Sequence, residues 1–210
     1  MNARCAVLAV CLATLPSASA HRLDEYLQAT RLSIDLERVD LEIDLTPGVA
    51  VASKIIDSID TDRDGEISNA EGAAYARRML RSVTLSVDGL TAPILLVESH
   101  FPPPGDMSHG IGTIQLRATA KVPAAGAGRH RISFLNTHQP ESSVYLVNAL
   151  IPANSRIQIA DQRRDRAQHE LTLDYTVAGN APPVMAFAVL IGFLLAGRLC
   201  WLGRQALQQP

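Results

Sequence analysis

Apolar and acidic side chains alternate without a break from residue 39 to residue 45, where the chain reads VDLEIDL. Successive side chains of a β-strand point to opposite faces of a sheet, so this pattern predicts a strand with one buried and one solvated face. The preceding segment, residues 26–36, carries Leu32, Ile34 and Leu36 at the same spacing. The two segments therefore predict a β-hairpin, which commits this part of the chain to a sheet.

The rest of the chain carries more short segments of this kind. Asp88-Gly89 predicts a turn after the first of them, because this dipeptide favours the tight turns of hairpins. Short strands in this number favour a mainly β, sandwich-like domain. The further predicted strands are residues 83–87, 94–97, 111–122, 131–135, 144–150, 157–160 and 171–177.

Two segments depart from the strand pattern and predict helices, at residues 49–59 and 69–81. Their apolar residues recur at the spacing that places side chains on one face of a helix. A pair of helices is thus inserted, at about residues 49–81, into a chain that otherwise favours strands. The predicted inward-facing residues are Val49, Ala52, Ile56 and Ile59 in the first helix, and Ala70, Ala73, Tyr75 and Leu80 in the second.

An acidic loop, DTDRDGEISNAE, lies between the two predicted helices at residues 60–71. Carboxylates on alternate residues of a tight loop converge on one point, which suits a hard cation that takes six to eight oxygen ligands. Gly65 permits the sharp turn that such a loop needs. The predicted metal ligands are the carboxylates of Asp60, Asp62 and Asp64, the backbone carbonyl of Glu66, Ser68 through a water molecule, and both carboxylate oxygens of Glu71.

Together with its flanking helices, the loop resembles an EF-hand over residues 49–81. This resemblance implies that the loop binds Ca²⁺, and a glutamate at its last position favours calcium over magnesium. No second loop of this kind is visible in the sequence, whereas EF-hands commonly work in pairs, so a structural role for the ion is expected. The alternative interpretation is a solvated turn that caps the second helix without an ion.

The first twenty residues have the composition of a signal peptide. Arg4 precedes an apolar stretch at residues 5–15, Pro16 interrupts it, and Ala-Ser-Ala at residues 18–20 forms a cleavage site. The apolar stretch is shorter than the roughly 20 residues that a membrane span needs. We therefore expect residues 1–20 to be removed on export.

A second apolar stretch, residues 184–203, is interrupted only by Arg198. About twenty helical residues reach about 30 Å, the thickness of the hydrocarbon layer of a membrane. With Arg198 and Arg204 at its far end, the sequence predicts a transmembrane helix at residues 182–203 and a cytoplasmic tail at residues 204–210. The predicted organisation is an exported domain, residues 21–181, held in the cell envelope by one C-terminal span. A buried C-terminal helix is the alternative.

Composition and motifs narrow the possible functions. Lys and Arg total 19 against 21 for Asp and Glu, so the net charge of −2 provides no basic surface for a nucleic acid. The three cysteines, Cys5, Cys11 and Cys200, all lie in the terminal apolar stretches, so metal ligands elsewhere must be oxygen or histidine. Catalytic sequence motifs are absent, and we expect no enzyme activity. A third functional class stays open, a hydrolase whose catalytic residues lie far apart in the sequence and are brought together only by folding.

Cleavage after residue 20 makes His21 the first residue of the mature chain. Its amine and imidazole together suit copper, with a second imidazole supplied by one of five other histidines. Those histidines are His100, His109, His130, His138 and His169.

The segment HRLDEYL at residues 21–27, the hairpin after it and the acidic loop resemble the exported N-terminal domain of HupE/UreJ-type membrane proteins. That family is associated with the transport of nickel or other transition metals. Only one span is predicted here, so the resemblance implies an accessory role beside a separate membrane partner rather than permease activity. The sequence therefore predicts a membrane-anchored calcium-binding protein, with an accessory domain for copper or nickel through His21 as the alternative.

Overall fold

The computed structural model describes residues 24–179, which form ten strands and three helices. The strands are β1 (Tyr26–Ile34), β2 (Arg38–Pro47), β3 (Val83–Val87), β4 (Leu90–Thr91), β5 (Ile94–His100), β6 (Ile114–Lys121), β7 (Gly128–Asn136), β8 (Ser143–Ala149), β9 (Ile157–Arg164) and β10 (Glu170–Val177). The helices are α1 (Val49–Ile59), α2 (Asn69–Leu80) and α3 (Pro104–Ser108). The prediction of a mainly β fold with an inserted helix pair is confirmed for this part of the chain.

The first sheet has five strands in the order β5-β6-β2-β1-β8. β1 and β2 form the predicted hairpin, with Tyr26 opposite Pro47 and Ile34 opposite Val39. Alternate side chains of both strands are buried, as the apolar and acidic alternation predicts. β8 pairs with β1 in parallel orientation. This pairing joins residues more than a hundred positions apart, so no local pattern in the sequence indicates it.

The second sheet has the order β4-β3-β7-β10-β9, and its pairs are antiparallel. β3 and β4 are joined by the predicted turn at Asp88-Gly89, where both residues have positive φ, of 51° and 82°. The buried faces of the two sheets contribute to one hydrophobic core, with Leu41 from the first sheet and Phe134 and Leu173 from the second. The structure thus has two sheets with a shared interior.

The helix pair packs on this core along a face that differs in part from the predicted one. In α1, Ala52, Ile55 and Ile59 are buried, whereas Val49 is 46% exposed. Tyr75 and Leu80 of α2 are buried as predicted, but Ala70 is exposed. The remaining buried residues of α2 are Gly72, Ala76 and Met79. The predicted face was displaced because small alanines occur on both sides of α2 and carry little directional information.

Several strand boundaries differ from the prediction, such as β5, which continues to His100, and β7, which begins at Gly128. For two others the structure shows the cause. The strand expected from residue 111 begins at Ile114, because the backbone N–H groups of Ile111 and Gly112 bond to the carbonyl of Asp106 and close the turn after α3. The strand expected at residues 157–160 continues to Arg164. Its polar half is stable as a strand because it pairs with β10 along its length, with Arg164 opposite Leu171.

The helix pair and the end of β10 lie at opposite ends of the second sheet. β3, which follows α2, begins at Val83 opposite Asn136, the last residue of β7. Val177, the last residue of β10, lies opposite Gly128, the first residue of β7. At about 3.3 Å per residue, these two ends of the nine-residue strand β7 are about 26 Å apart. The start of β3, where the helix pair joins the second sheet, is therefore remote from the point where the described chain ends.

Within residues 24–179, no helix is both long and apolar enough to cross a bilayer. The predicted signal peptide, residues 1–20, and the predicted span, residues 182–203, lie outside the described residues, as do His21 and the predicted tail.

Candidate metal centre

The acidic loop starts at the carboxyl end of α1, where Asp60 is the first residue beyond the helix. Its backbone N–H bonds to the carbonyl of Ile56 at 2.9 Å, and its side chain points into the loop. One carboxylate oxygen accepts the N–H of Arg63 at 2.7 Å and the other accepts the N–H of Gly65 at 3.0 Å. These bonds fold the loop back onto the end of α1, and Asp60 is only 7% exposed.

The tight path of the loop requires positive φ angles at two positions. Arg63 has a φ of 62° and Gly65 a φ of 86°. Glycine adopts this conformation at little steric cost, which explains its place in the middle of the loop. Beyond the turn, the Asp62 carboxylate accepts the N–H of Asp64 at 3.2 Å, and the Asp64 carboxylate accepts the N–H of Glu66 at 2.9 Å.

Glu71 closes the loop from the first turn of α2. Ser68 caps this helix: its hydroxyl oxygen accepts the N–H of Glu71 at 3.3 Å, and the Glu71 carboxylate accepts the N–H of Ser68 at 3.1 Å. The other carboxylate oxygen of Glu71 accepts the N–H and hydroxyl of Thr61, at 2.5 and 2.9 Å. One side chain therefore joins the end of the loop to its beginning.

Three of the predicted ligands converge. One carboxylate oxygen from each of Asp60, Asp62 and Glu71 lies within 4.8 Å of the other two. The structure does not bring Asp64 into this group, since its carboxylate turns to the N–H of Glu66. The Glu66 side chain is exposed and the Ser68 hydroxyl also donates to Glu71 at 2.8 Å. Whether Asp64, Glu66 and Ser68 serve as ligands stays a prediction.

The converging carboxylates differ in how firmly they hold their charge. The Ser68 hydroxyl, followed by the N–H of Thr61, lowers the pKa of Glu71 to about 2. At Asp62, the N–H of Asp64 lowers the pKa, but desolvation and three neighbouring carboxylates outweigh it, so the pKa is raised overall. A cation between these groups would remove the repulsion that acts on Asp62.

This donor set fits a hard metal cation, the class to which the predicted calcium ion belongs. Carboxylate oxygens are hard ligands, and Asp60, Asp62 and Glu71 would hold the ion, which supplies positive charge and joins the two helix ends. The capping box of Ser68 and Glu71, which the alternative interpretation also predicts, is present. A simple helix cap, however, does not require Asp60 and Asp62 to lie beside Glu71. Without an ion, no cation in the cluster offsets the repulsion among these three carboxylates.

A buried polar network that no sequence motif predicts connects α2 to the sheets. The hydroxyl of Tyr75 lies 2.8 Å from that of Tyr26 and 3.1 Å from Nε2 of His138. The Gln28 amide donates to the carbonyl of His138 at 2.8 Å, and its oxygen accepts from the Asn136 amide at 2.9 Å. Asn136 in turn accepts the N–H of His138 at 3.0 Å. All five residues are buried.

Burial shifts the ionisation of this network. Desolvation, helped by the nearby charge of Arg78, lowers the pKa of His138 to about 4. Desolvation also raises the pKa of Tyr75 to about 12. The network is therefore uncharged at neutral pH. Tyr75 is predicted to face inward, but no local pattern in the sequence indicates its polar partners, which only the parallel and antiparallel strand pairings bring together.

The histidines considered as partners of His21 are dispersed in the structure. His130 bonds to Asp88 at 2.7 Å and to the carbonyl of Gly126 at 2.9 Å, which occupies both ring nitrogens. His138 belongs to the buried network, and His100 and His109 are exposed. Among residues 24–179, the only group of three candidate metal-ligating side chains is that of Asp60, Asp62 and Glu71. A copper or nickel site at His21 stays a prediction.

No protein-family model, characterised protein or solved structure matches the chain. The resemblances to the EF-hand and to HupE/UreJ-type proteins therefore stay predictions from the sequence. Any assignment of function depends on the acidic loop and its surroundings.

Proposed function

We propose that this chain is a calcium-binding protein of the cell envelope, with the described domain outside the cytoplasm and one C-terminal membrane anchor. The observation that carries the proposal is the convergence of Asp60, Asp62 and Glu71 within 4.8 Å, in a loop whose sequence has the EF-hand spacing. The predicted signal peptide and the apolar stretch at residues 184–203 support the proposed location.

The role proposed for calcium is structural. The loop joins α1 to α2, and the guanidinium of Arg78 already bridges the helices by donating to the carbonyl of Ser58 at 2.6 Å. α2 is also fixed to the sheets through Tyr75. An ion in the loop would thus complete a set of attachments rather than drive a large movement, and no partner loop is available among the described residues to transmit one.

Thermal melting of the protein with calcium and with a chelator tests this role. Calcium at about ten times its Kd stabilises the folded state by roughly 1.4 kcal/mol through mass action. For a domain of this size the expected rise in Tm is about 3 to 5 °C. Asp60→Asn should abolish the rise.

The control is Glu37→Gln, which removes an exposed acid in the turn between β1 and β2. It lowers the overall negative charge as Asp60→Asn does but leaves the loop intact, so the calcium-dependent rise should persist. A Tm that does not respond to calcium, or a rise that survives Asp60→Asn, would refute the structural role of the loop.

The alternative proposal is that the protein handles copper or nickel through His21. Measuring the metal content of the same purified protein distinguishes this proposal from the calcium proposal. Calcium alone favours the first proposal. Stoichiometric copper or nickel that is lost in His21→Ala, with the calcium-dependent Tm unchanged, favours the second.

A further inference from the structure

A groove of about 610 Å³ lies beside the far end of α2, between the edges of the two sheets. The last turn of α2 lines it through Arg77, Leu80 and Arg81. One wall is the beginning of β3 and the other is the first half of β5. The groove is separate from the carboxylates of the acidic loop, which lie at the opposite end of α2.

The wall formed by β5 is an unpaired strand edge. β5 is the outermost strand of the first sheet and pairs only with β6. In an antiparallel pair, alternate residues direct both N–H and C=O away from the partner strand, so one edge of β5 carries free backbone groups. An unpaired edge beside an open groove is a template for an additional strand.

The apolar surface of the groove is also incompletely covered. Leu95, in the middle of this segment of β5, is 56% exposed, while its neighbours Ile94 and Leu96 are partly buried against the core. Ala92, which is buried, lies in the lining between them and β3. Ile94, Leu96 and Ala92 form an apolar floor beside the free backbone edge, and Leu95 lies on the opposite face of β5.

The charged side chains that line the groove are all basic. Arg77 and Arg81 are exposed, and neither forms an ion pair among the described residues. No acidic side chain lines the groove. By contrast, Arg78 of the same helix turn is engaged by the carbonyl of Ser58. Two unpaired guanidinium groups next to an apolar floor complement a ligand that carries both carboxylates and apolar side chains.

We propose that this groove binds an extended, acidic segment of a partner protein, which adds to the free edge of β5 as a further strand. Backbone hydrogen bonds to alternate residues within 94–96 position the segment, and its apolar side chains cover Leu95 on one face and the floor on the other. Its carboxylates pair with Arg77 and Arg81. The β-bulge between Leu96 and Glu98 interrupts the regular ladder, so the added strand ends there.

The test measures binding of fluorescent synthetic peptides of about ten residues to the full chain. The probe alternates glutamate and valine, and the comparison peptide alternates lysine and valine. A third peptide has the probe's sequence with N-methyl groups on alternate backbone nitrogens, which removes hydrogen bonds without changing charge. We expect the acidic peptide to bind at least about tenfold more tightly than either of the others.

The substitution Arg77→Gln combined with Arg81→Gln should weaken binding of the acidic peptide about tenfold or more. Arg129→Gln is the matched control, since Arg129 is an exposed arginine at the start of β7, outside the groove, and it should leave binding unchanged. If the double variant does not fold, the discrimination among the three peptides by the unmodified chain still decides the question.

Equal binding of the acidic and lysine peptides, insensitivity to N-methylation, or an affinity that the double variant leaves unchanged would each overturn the proposal. Absence of binding at about 1 mM peptide would do the same. So would attachment to anionic lipid vesicles that depends on Arg77 and Arg81 without any peptide binding, since the groove would then be a membrane contact.

Discussion

At the scale of single residues, Glu71 is the side chain on which the acidic loop depends most. Its two oxygens accept hydrogen bonds from Thr61 at the start of the loop and from Ser68 at its end. Part of this arrangement could be predicted, because the Ser-x-x-Glu spacing of a capping box and the last position of the calcium loop coincide at residue 71. The bond to Thr61 could not, since it depends on how the loop folds back.

Replacing Glu71 by Gln separates its role in the helix cap from its proposed role as a calcium ligand. The amide retains one acceptor oxygen but loses the charge, so we expect the protein without calcium to lose part of the stability that the helix cap provides. Calcium affinity should fall much more, because an amide cannot supply two anionic oxygens. Denaturant unfolding with and without calcium measures both effects.

Ser68→Ala provides the comparison, because it removes the cap hydroxyl and leaves the carboxylate. It should also cost stability without calcium, about 1 kcal/mol, with a smaller loss of calcium affinity than Glu71→Gln. Equal losses of calcium affinity in the two variants would mean that residue 71 acts only as a cap.

His138 gives the protein a specific pH dependence. Its folded-state pKa of about 4 lies below the ordinary value of 6.5, so the unfolded chain binds more protons between these two values. Burial of the neutral His138 ring therefore contributes fully to the free energy of unfolding above about pH 6.5. The free energy of unfolding falls by an amount on the order of 2 to 3 kcal/mol as the pH decreases toward 4. Urea unfolding at a series of pH values between 4.5 and 7 should show the decline.

The comparison is His138→Gln, which should flatten the dependence in this range, while His109→Gln at an exposed site should not. Glu71 and Asp174, whose pKa values are lowered to about 2, lose their contributions at lower pH and do not interfere. His130 acts in the opposite sense, because Asp88 raises its pKa and its contribution is lost as the pH rises. An unchanged slope in His138→Gln would contradict the assignment.

At the scale of elements, the hairpin of β1 and β2 and the two inserted helices could be predicted because each has a strong local period. α3 could not, since its five residues are held by buried Met107 and by the turn at Asp106 rather than by a repeating pattern. The contact of α2 with Phe101 could not be predicted either. Gly72 faces the ring of Phe101, which follows β5, and a glycine in a helix gives no sign of such a contact.

Gly72→Ala should therefore be destabilising even though alanine favours helices. The added methyl group would lie 2.7 Å from the Phe101 ring, which must move or push α2 outward. We expect a loss of about 1 to 3 kcal/mol, as in other overpacked sites, and weaker calcium binding because the exit helix of the loop shifts. Thermal or denaturant unfolding measures the loss.

The matched control is Gly105→Ala in α3, where an added methyl group meets no atom within 4 Å. Here the lower entropy of the unfolded chain should make the protein about 0.4 to 1 kcal/mol more stable. If Gly72→Ala stabilised the protein as Gly105→Ala does, the packing of α2 against Phe101 would be wrong.

At the scale of the whole molecule, composition and pattern could predict a mainly β domain but not which strands are neighbours. The partners of β1 illustrate the difference: β2 follows it directly, whereas β8 is reached only after six intervening strands. The buried polar network depends on that distant pairing, because Gln28 of β1 donates to Ser143 of β8. Long-range pairing is set by how all buried faces fit together, which no single segment encodes.

The proposed topology places the junction of α2 and β3 away from the membrane, since β3 begins at the end of the second sheet opposite the exit of β10. A reporter enzyme that is active only outside the cytoplasm should work when fused after Ala181 and fail when fused after Pro210. Activity at both positions would exclude a single C-terminal span, and activity at neither would exclude export.

The central claim is that the loop at residues 60–71 binds one calcium ion. Calorimetric titration of the protein with calcium tests it most directly, alongside the variant that combines Asp60→Asn with Asp62→Asn. We predict a single site with a Kd of about 10⁻⁴ to 10⁻³ M, the range of extracellular modules, and its loss in the variant. No binding at several times that concentration, or equal binding by the variant, would contradict the account.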